Sequence, residues 1–401
     1  MQFSTEVVRP QITMTAAAIR RKILFLTATR ADFGKLKSLM RVVSEAEEFE
    51  CSIFATGMHM LARYGSTVQE IYKSGFQNVH PYINQDGSVN SQMDLVLANT
   101  ITGLGLHIRE SQPDLLVVHG DRVEALAGAI TGALNNVRVA HIEGGEVSGT
   151  VDEVLRHAVT KLSHIHFVAN DEAAVRLRQM GEAASSIFMI GSPDTDIMFS
   201  SGLPDLDEVK RHYEIDFDDY GIVLYHPVTT EPGQIREHAR ELVAALVESR
   251  RNYVVIHPNN DHGAETILQE MECLRGLPRF RFIPSMRFEY FLVLMKNAFV
   301  MVGNSSAGVR EAPGYAVPTV NIGSRQNRRF RCDSIVDIAE NREAILQALA
   351  DLPAGLEPTH YFGKGNCASA FIEVLRGPDV WRLPRQKMFN DVSEMVASLA
   401  K

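Results

Sequence analysis

Cysteine is scarce in this chain: four residues in 401, Cys51, Cys273, Cys332 and Cys367, with no Cys-x-x-Cys pair among them. A disulfide framework and a thiolate zinc site therefore have no basis, and the chain fits a reducing cytoplasm. No apolar run reaches the ~20 residues that a membrane-crossing helix needs. Positive charge is in deficit, with 40 Lys and Arg against 49 Asp and Glu, a net charge of −9. A general affinity for nucleic acid or anionic membranes is excluded on that ground, so any anionic ligand must be gripped locally. Gly-x-Gly-x-x-Gly, the P-loop pattern and the Gly-x-Ser-x-Gly elbow are all missing, which argues against dinucleotide, Walker-type and serine-hydrolase sites. Residues 1–21 lack the continuous apolar stretch of a signal peptide and read as a flexible extension, with Met14 a rival start.

What is present is a regular beat. With 45% hydrophobic and 22% charged residues the chain has the balance of a globular protein, and its length suggests two cores. Residues 22–26 form a short apolar run, and Leu36, Leu39, Met40 and Val43 follow at the spacing of a buried helix face. Strands are predicted over 51–55, 115–118, 137–142, 166–169 and 188–190, with helices over 122–134 and 152–162 between them. Turn residues cluster near 200–205, and the beat restarts with strands over 221–225, 253–256, 281–284, 299–302 and 319–322. Alternating strands and helices imply right-handed βαβ units and parallel sheets covered on both faces. The expectation is an α/β chain of two Rossmann-like doubly wound domains, 22–195 and 196–380, with a C-terminal helix in 381–401 that packs back on the first domain.

The polar residues gather where such sheets bind ligands, beyond the carboxyl ends of the strands. Thr29-Arg30-Ala31-Asp32, Thr56-Gly57-Met58-His59, His119-Gly120-Asp121-Arg122 and His141-Ile142-Glu143-Gly144-Gly145-Glu146 follow strands of the first half. His226-Pro227, His257-Pro258-Asn259 and Gly303-Asn304-Ser305-Ser306 follow strands of the second. Both crests would face one cleft. The segment from Gly303 to Glu311 leaves a strand and opens a predicted helix, whose free N–H groups and Ser hydroxyls suit a phosphate or simply form a cap. The basic run Arg325-Gln326-Asn327-Arg328-Arg329 is either a guanidinium partner for a diphosphate or a solvated face.

Asp121, Glu143, Glu146 and Asp152 are the acid–base candidates, because moving a proton at a sugar carbon needs carboxyl groups with separated pKa values. A pairing of Asp121 with Arg122, and a capping role for Asp152, stand as alternatives. His164 and His166 alternate and could share a strand face, but no carboxylate joins them at ligand spacing, so no metal site is expected. His226, at a strand end before proline, is placed to touch a phosphate oxygen.

At these residues the chain resembles the hydrolysing UDP-N-acetylglucosamine 2-epimerases, including the epimerase half of the bifunctional animal enzyme of sialic acid synthesis. The similarity rests on Arg30-Ala31-Asp32, His119-Gly120-Asp121-Arg122, the stretch His141 to Thr150, Arg156-His157-Ala158, His226-Pro227-Val228-Thr229-Thr230, Gly303-Asn304-Ser305-Ser306 and Arg325-Gln326. It implies a GT-B-like fold, conversion of UDP-GlcNAc and water to ManNAc and UDP through a 2-acetamidoglucal, no cofactor, and a homodimer or homotetramer. By position it implies Asp121, Glu143 and Asp152 as the catalytic carboxylates, without saying which takes the C2 proton. His226, Ser305, Ser306 and Arg325 match diphosphate contacts, joined by Arg30 and Lys35 from the first domain. Glu311 matches the ribose carboxylate and Met286 the base contact, while Asp32, His59, Arg122 and Asn259 complete the expected substrate set. The resemblance leaves room for a 2,4-diacetamido-trideoxy UDP-sugar, a GDP-linked analogue, or the non-hydrolysing reaction.

Overall fold

The computed structural model describes residues 20–86, 92–148, 151–259 and 261–391. Nearly all of the N-terminal extension, and residues 392–401 of the C-terminal helix expected in 381–401, lie outside the described residues.

Two parallel sheets organise the chain. The first contains β1 (Arg21–Thr27), β2 (Phe49–Ala55), β3 (Val79–Pro81), β4 (Leu115–His119), β5 (Arg138–Ile142), β6 (Ile165–Val168) and β7 (Ile187–Met189), in the order β3-β2-β1-β4-β5-β6-β7. The second contains β8 (Gly221–Leu224), β9 (Tyr253–Ile256), β10 (Phe280–Ile283), β11 (Val300–Gly303), β12 (Thr319–Ile322) and β13 (Ile335–Ile338), ordered β10-β9-β8-β11-β12-β13. β1, β4 and β9 are almost wholly buried because helices cover both faces, which is why they read as continuous apolar runs rather than alternating ones. Among the described residues no helix is long and apolar enough to cross a membrane.

Each sheet reverses its winding direction once, at the β1/β4 pair and at the β8/β11 pair. Loops diverge there and leave a crevice at the strands' carboxyl ends. Gly303 closes β11 with φ +135, and a Cβ there would stand 2.2 Å from the carbonyl oxygen of Leu224. Only glycine lets the ends of β8 and β11 approach so closely.

α1 (Arg30–Glu45) begins with a capping box, in which Thr29 accepts from the N–H of Asp32 while the Asp32 carboxylate reaches back to the N–H of Thr29. Leu36, Leu39, Met40 and Val43 are buried on its inner face. α2 (Val123–Leu134) and α3 (Val151–Leu162) follow β4 and β5, and α4 (Asp194–Met198) starts the passage to the second unit.

The chain returns to the first unit earlier than the boundary expected at residue 381. α6 (Cys367–Arg376), which comes after the single-turn α5 (Ala307–Arg310), buries Phe371, Ile372 and Leu375 in the core made by β1, β6 and α1. Phe371 is fully buried, its ring 4.8 Å from Phe167 and 6.4 Å from Phe25. The first N–H groups of this helix, at Cys367 and Ala368, donate to the Asp196 carboxylate at 2.7 Å each. Farther on, the Lys387 ammonium donates to the carbonyls of Thr160 and Ser163 at 3.0 and 2.8 Å, at the end of α3.

β3 and β13 were not predicted. Both are short edge strands, one ending in Pro81 and the other carrying Asp337, so neither has an apolar run to announce it. Because Phe371 fixes the returning helix, Phe371→Ala is expected to destabilise the fold by about 3–5 kcal/mol through the cavity it leaves. Chemical denaturation followed by circular dichroism measures this; a loss below about 1 kcal/mol would mean the returning helix is not part of the first core.

Candidate active site

A cavity of about 310 Å³ lies between the two crests, lined from the first unit by Arg30, Lys35, His119, Asp121 and Glu143 and from the second by His226, Met286, Ser305, Ser306, Glu311 and Arg325. A second, of about 490 Å³, adjoins it, sharing Asp121, Arg122, Asn259 and Arg325 and adding Asp152, Glu124 and His262.

Glu143 follows β5 with φ +63, a left-handed conformation unusual for a residue with a side chain. Its backbone is pinned on both sides: the N–H donates to the Phe167 carbonyl at 2.9 Å, and the carbonyl accepts from Arg156 at 2.7 Å. Its carboxylate accepts from His119 Nε2 at 3.0 Å, and it also receives Ser192 Oγ–H and the Arg310 guanidinium. Burial opposes its charge, but Arg310, Lys35 and His119 outweigh that and hold the carboxyl well below the ordinary range.

Asp121, after β4, pairs with Arg156 and lies 3.6 Å from Arg329. Burial would raise its pKa, yet Arg156, Arg329 and Arg325 hold it down to about 2. The alternative pairing of Asp121 with Arg122 does not form; Arg122 donates to Glu124 at 3.3 Å instead. Asp152, in the first turn of α3, stands 3.4 Å from Arg325.

The second unit supplies a rigid cradle. Asn304 clamps His226 from both sides, accepting from its N–H at 2.7 Å and donating to its carbonyl at 2.9 Å. His226 Nδ1 accepts the Asn259 N–H at 3.1 Å, so Nε2 carries the ring proton. Burial, with Arg325 nearby, keeps this ring neutral, its pKa well below the usual histidine value. Arg325 and Gln326 donate to the Asn304 carbonyl at 3.1 and 2.8 Å, so the basic run folds inward at its start. The helix expected after Ser306 is one turn, Ala307–Arg310, followed by the 3-10 turn Ala312–Tyr315 that contains Pro313. With one turn the macrodipole is small, and the Ser305 and Ser306 hydroxyls with Arg325 carry the cradle's polarity.

Charged pairs close the seam. Lys35 reaches across to Glu311 at 2.6 Å and also meets Asp194 at 3.0 Å. Burial raises the pKa of Glu311, with Lys35 opposing. Arg30 donates to Ser285 Oγ at 3.1 Å and to Glu70 at 2.8 Å.

Two of the expected substrate residues are engaged elsewhere. His59 is fully buried and away from both cavities, with Nε2 on Thr27 Oγ1 at 3.1 Å and Nδ1 on Thr67 Oγ1 at 2.7 Å. Desolvation pushes its pKa down to about 3, so it is a neutral brace under the β1 and β2 loops. Asp32 borders the cavity, but its carboxylate is taken up by Thr27 Oγ1 at 2.9 Å and the Ala28 N–H at 2.8 Å. Glu146 lies outside both cavities, paired with Arg310. His166 is buried against Glu182 at 3.0 Å, and His164 bonds the N–H of Val139 at 3.1 Å. One three-ligand cluster occurs among the described residues, Glu231, His238 and Glu340, and none of them borders the two cavities.

Sequence reasoning missed Arg310 as a partner of Glu143, missed Ser192 and Asp194, and named Arg329 only within the basic run rather than as a neighbour of Asp121. A signal existed for Arg310 alone: a cation set in the apolar turn Ala307-Gly308-Val309 must find a buried anion.

Compared with known proteins, residues 41–376 match the family described as UDP-N-acetylglucosamine 2-epimerase. A UDP-N-acetylglucosamine 2-epimerase of Neisseria meningitidis serogroup B is 45% identical over 378 residues, covering 93% of this chain and 100% of the relative. A hydrolyzing UDP-N,N'-diacetylbacillosamine 2-epimerase of Legionella pneumophila is 33% identical, covering 89% of this chain and 96% of the relative. The Methanocaldococcus jannaschii UDP-GlcNAc 2-epimerase solved with UDP-GlcNAc and UDP is similar in fold, with a TM-score of 0.76 at 19% identity over 88% of this chain and 99% of that one. The fold is thus the GT-B-like pair of α/β domains, and the chain belongs to the UDP-N-acetylglucosamine 2-epimerase family.

Proposed function

We propose that this chain is a hydrolysing UDP-GlcNAc 2-epimerase, converting UDP-GlcNAc and water to ManNAc and UDP. The observation that carries the reading is that Asp121 and Glu143 border the same cavity as His226, Ser305, Ser306, Glu311 and Arg325. Carboxylates that can take a proton and cationic or hydroxyl donors that can meet a leaving diphosphate thus line one cavity, which is the combination an elimination of diphosphate requires. The Legionella relative, named as hydrolyzing, supports release of the free sugar.

In this reading the uracil lies beside Met286, the ribose near Glu311, and the diphosphate among His226, Ser305, Ser306 and Arg325, with Arg30 and Lys35 facing them. A carboxylate removes the C2 proton, the C–H electron pair forms the C1–C2 double bond, and the C1–O bond breaks toward UDP. Charge that builds on the leaving diphosphate meets the arginine and hydroxyl donors, where preorganised groups act most strongly. Water then adds at C1, and a proton reaches C2 on the opposite face. Asp121 and Glu143 are both ionised in the resting site, the form that can accept a proton. Asp152, beside Arg325, is the third carboxylate of the proposal.

A second reading has one observation in its favour. The 490 Å³ cavity that continues past Asp121 and Arg122 offers room for a larger 2,4-diacetamido sugar.

A proton NMR time course with UDP-GlcNAc in D2O, without added metal, is expected to show UDP and ManNAc deuterated at C2. UDP-ManNAc as the product would contradict hydrolysis, and turnover only of a 2,4-diacetamido UDP-sugar would favour the second reading. Asp121→Asn and Glu143→Gln are expected to keep UDP affinity while turnover falls ~100-fold or more; equal losses of binding and turnover would remove both from the chemistry.

Stability gives an independent check on Asp121. Its carboxyl is depressed from 3.8 to about 2, so the Arg156 pairing stabilises the fold above pH ~4 and is lost as pH falls toward 2. Asp121→Asn is expected to lack that component of acid unfolding; an unchanged acid limb would mean the pairing contributes nothing.

A further inference from the structure

Arg310 belongs to the nucleotide-binding half, yet its guanidinium is buried among groups of the other half. It donates to Glu143, to Glu146, and to Ser192 Oγ at 2.6 Å, and it lies 3.7 Å from Asp194. The side chains of Arg310, Glu143, Glu146 and Asp194 are each less than a tenth exposed. Phe362 covers the guanidinium at 4.6 Å. Ser192 accepts from Arg310 and donates to Glu143, so a second link runs in parallel with the direct one.

We infer that Arg310 is a positioning residue: it holds Glu143 as an ionised base and makes that state depend on the second unit being docked against the first. The inference rests on the reading that Glu143 moves a proton. Glu143 faces His119 at the end of β4, Lys35 on α1, Asp194 on α4, Arg310 on α5, and Ser192, while Arg156 on α3 holds its backbone carbonyl. Glu146 is the second carboxylate on Arg310, and Asp121 with Arg329 stands beyond Arg156. Without Arg310, three buried carboxylates would remain against Lys35, which Glu311 shares, the ring of His119, and Arg156, whose guanidinium is already taken by Asp121 and the Glu143 carbonyl. Burying unpaired charge is costly, and protonation of a carboxyl is the response. The fork of the arginine matters here, since Nη1 meets Glu146 while Nη2 meets Glu143 and Ser192, a spread of donors that a compact ammonium does not reproduce.

The test compares wild type, Arg310→Lys and Arg310→Gln, with folding checked by circular dichroism. Arg310→Gln is expected to move the acidic limb of the kcat profile up by about one pH unit or more and to lower kcat at neutral pH at least ~10-fold, with KM changed less than ~3-fold. Arg310→Lys should fall between the two, and it carries the test alone if the glutamine variant does not fold. Superimposable profiles, or a loss confined to KM, would overturn the inference. A second readout needs no turnover: with 13C-carboxyl glutamate, the Glu143 signal, identified by its loss in Glu143→Gln, is expected to titrate at higher pH in the Arg310 variants. If UDP-GlcNAc is not turned over, this titration still decides the role of Arg310, so the two failures are told apart. An unmoved titration would overturn the inference outright.

Discussion

The structure depends on how a set of buried charges is shared between two halves of one chain. Glu311, Lys35, Asp194, Arg310 and Glu143, in that order, form an unbroken sequence of ion pairs across the seam. Each of these ions would be costly to bury alone, and each is tolerable only because a partner from the other half or from a neighbouring loop meets it. This seam fixes the distance between the crest that carries Asp121 and Glu143 and the crest that carries His226, Ser305, Ser306 and Arg325. A GT-B-like pair of sheets with apolar facing loops would have no such constraint, and its cleft could open without electrostatic cost.

The same charges set the ionisation of the site. Cations sit on both sides of the carboxylates, and burial alone would have pushed Asp121 and Glu143 toward the neutral form. Arg156 with Arg329, and Arg310 with Lys35, reverse that tendency. Asp121 and Glu143 therefore rest ionised, and burial with a neighbouring arginine keeps His226 neutral. The left-handed backbone at Glu143 belongs to the same design, because it turns the carboxylate out of the β5 direction and toward the seam.

Much of this was legible in the sequence. Buried parallel strands announce themselves as apolar runs, and residues beyond their ends are forced to the crest by topology, which is why Asp121, Glu143, His226, Ser305, Ser306 and Arg325 were found together. The edge strands β3 and β13 were not legible, since an edge strand need not be apolar throughout. His59 was misplaced by the same crest rule: the loop after β2 turns inward, and Thr27 and Thr67 satisfy the ring beneath the surface. Asp32 was read as a ligand contact, although a residue three places after Thr29 is where a capping box would use it. The Arg310 pairing was hidden for a different reason. It joins residues 164 and 167 positions apart, and no local periodicity encodes a contact between two units. The early return at Cys367 was hidden likewise, because an amphipathic helix does not say which core it covers.

The measurement that bears most directly on this account is a crystal structure of the protein with UDP. The account expects the diphosphate oxygens within ~3 Å of Ser305, Ser306 and Arg325, the uracil beside Met286, and Arg310 still seated on Glu143. A nucleotide lodged instead in the neighbouring cavity by Glu124 and His262, or a bound state in which Arg310 leaves Glu143 for solvent, would contradict it.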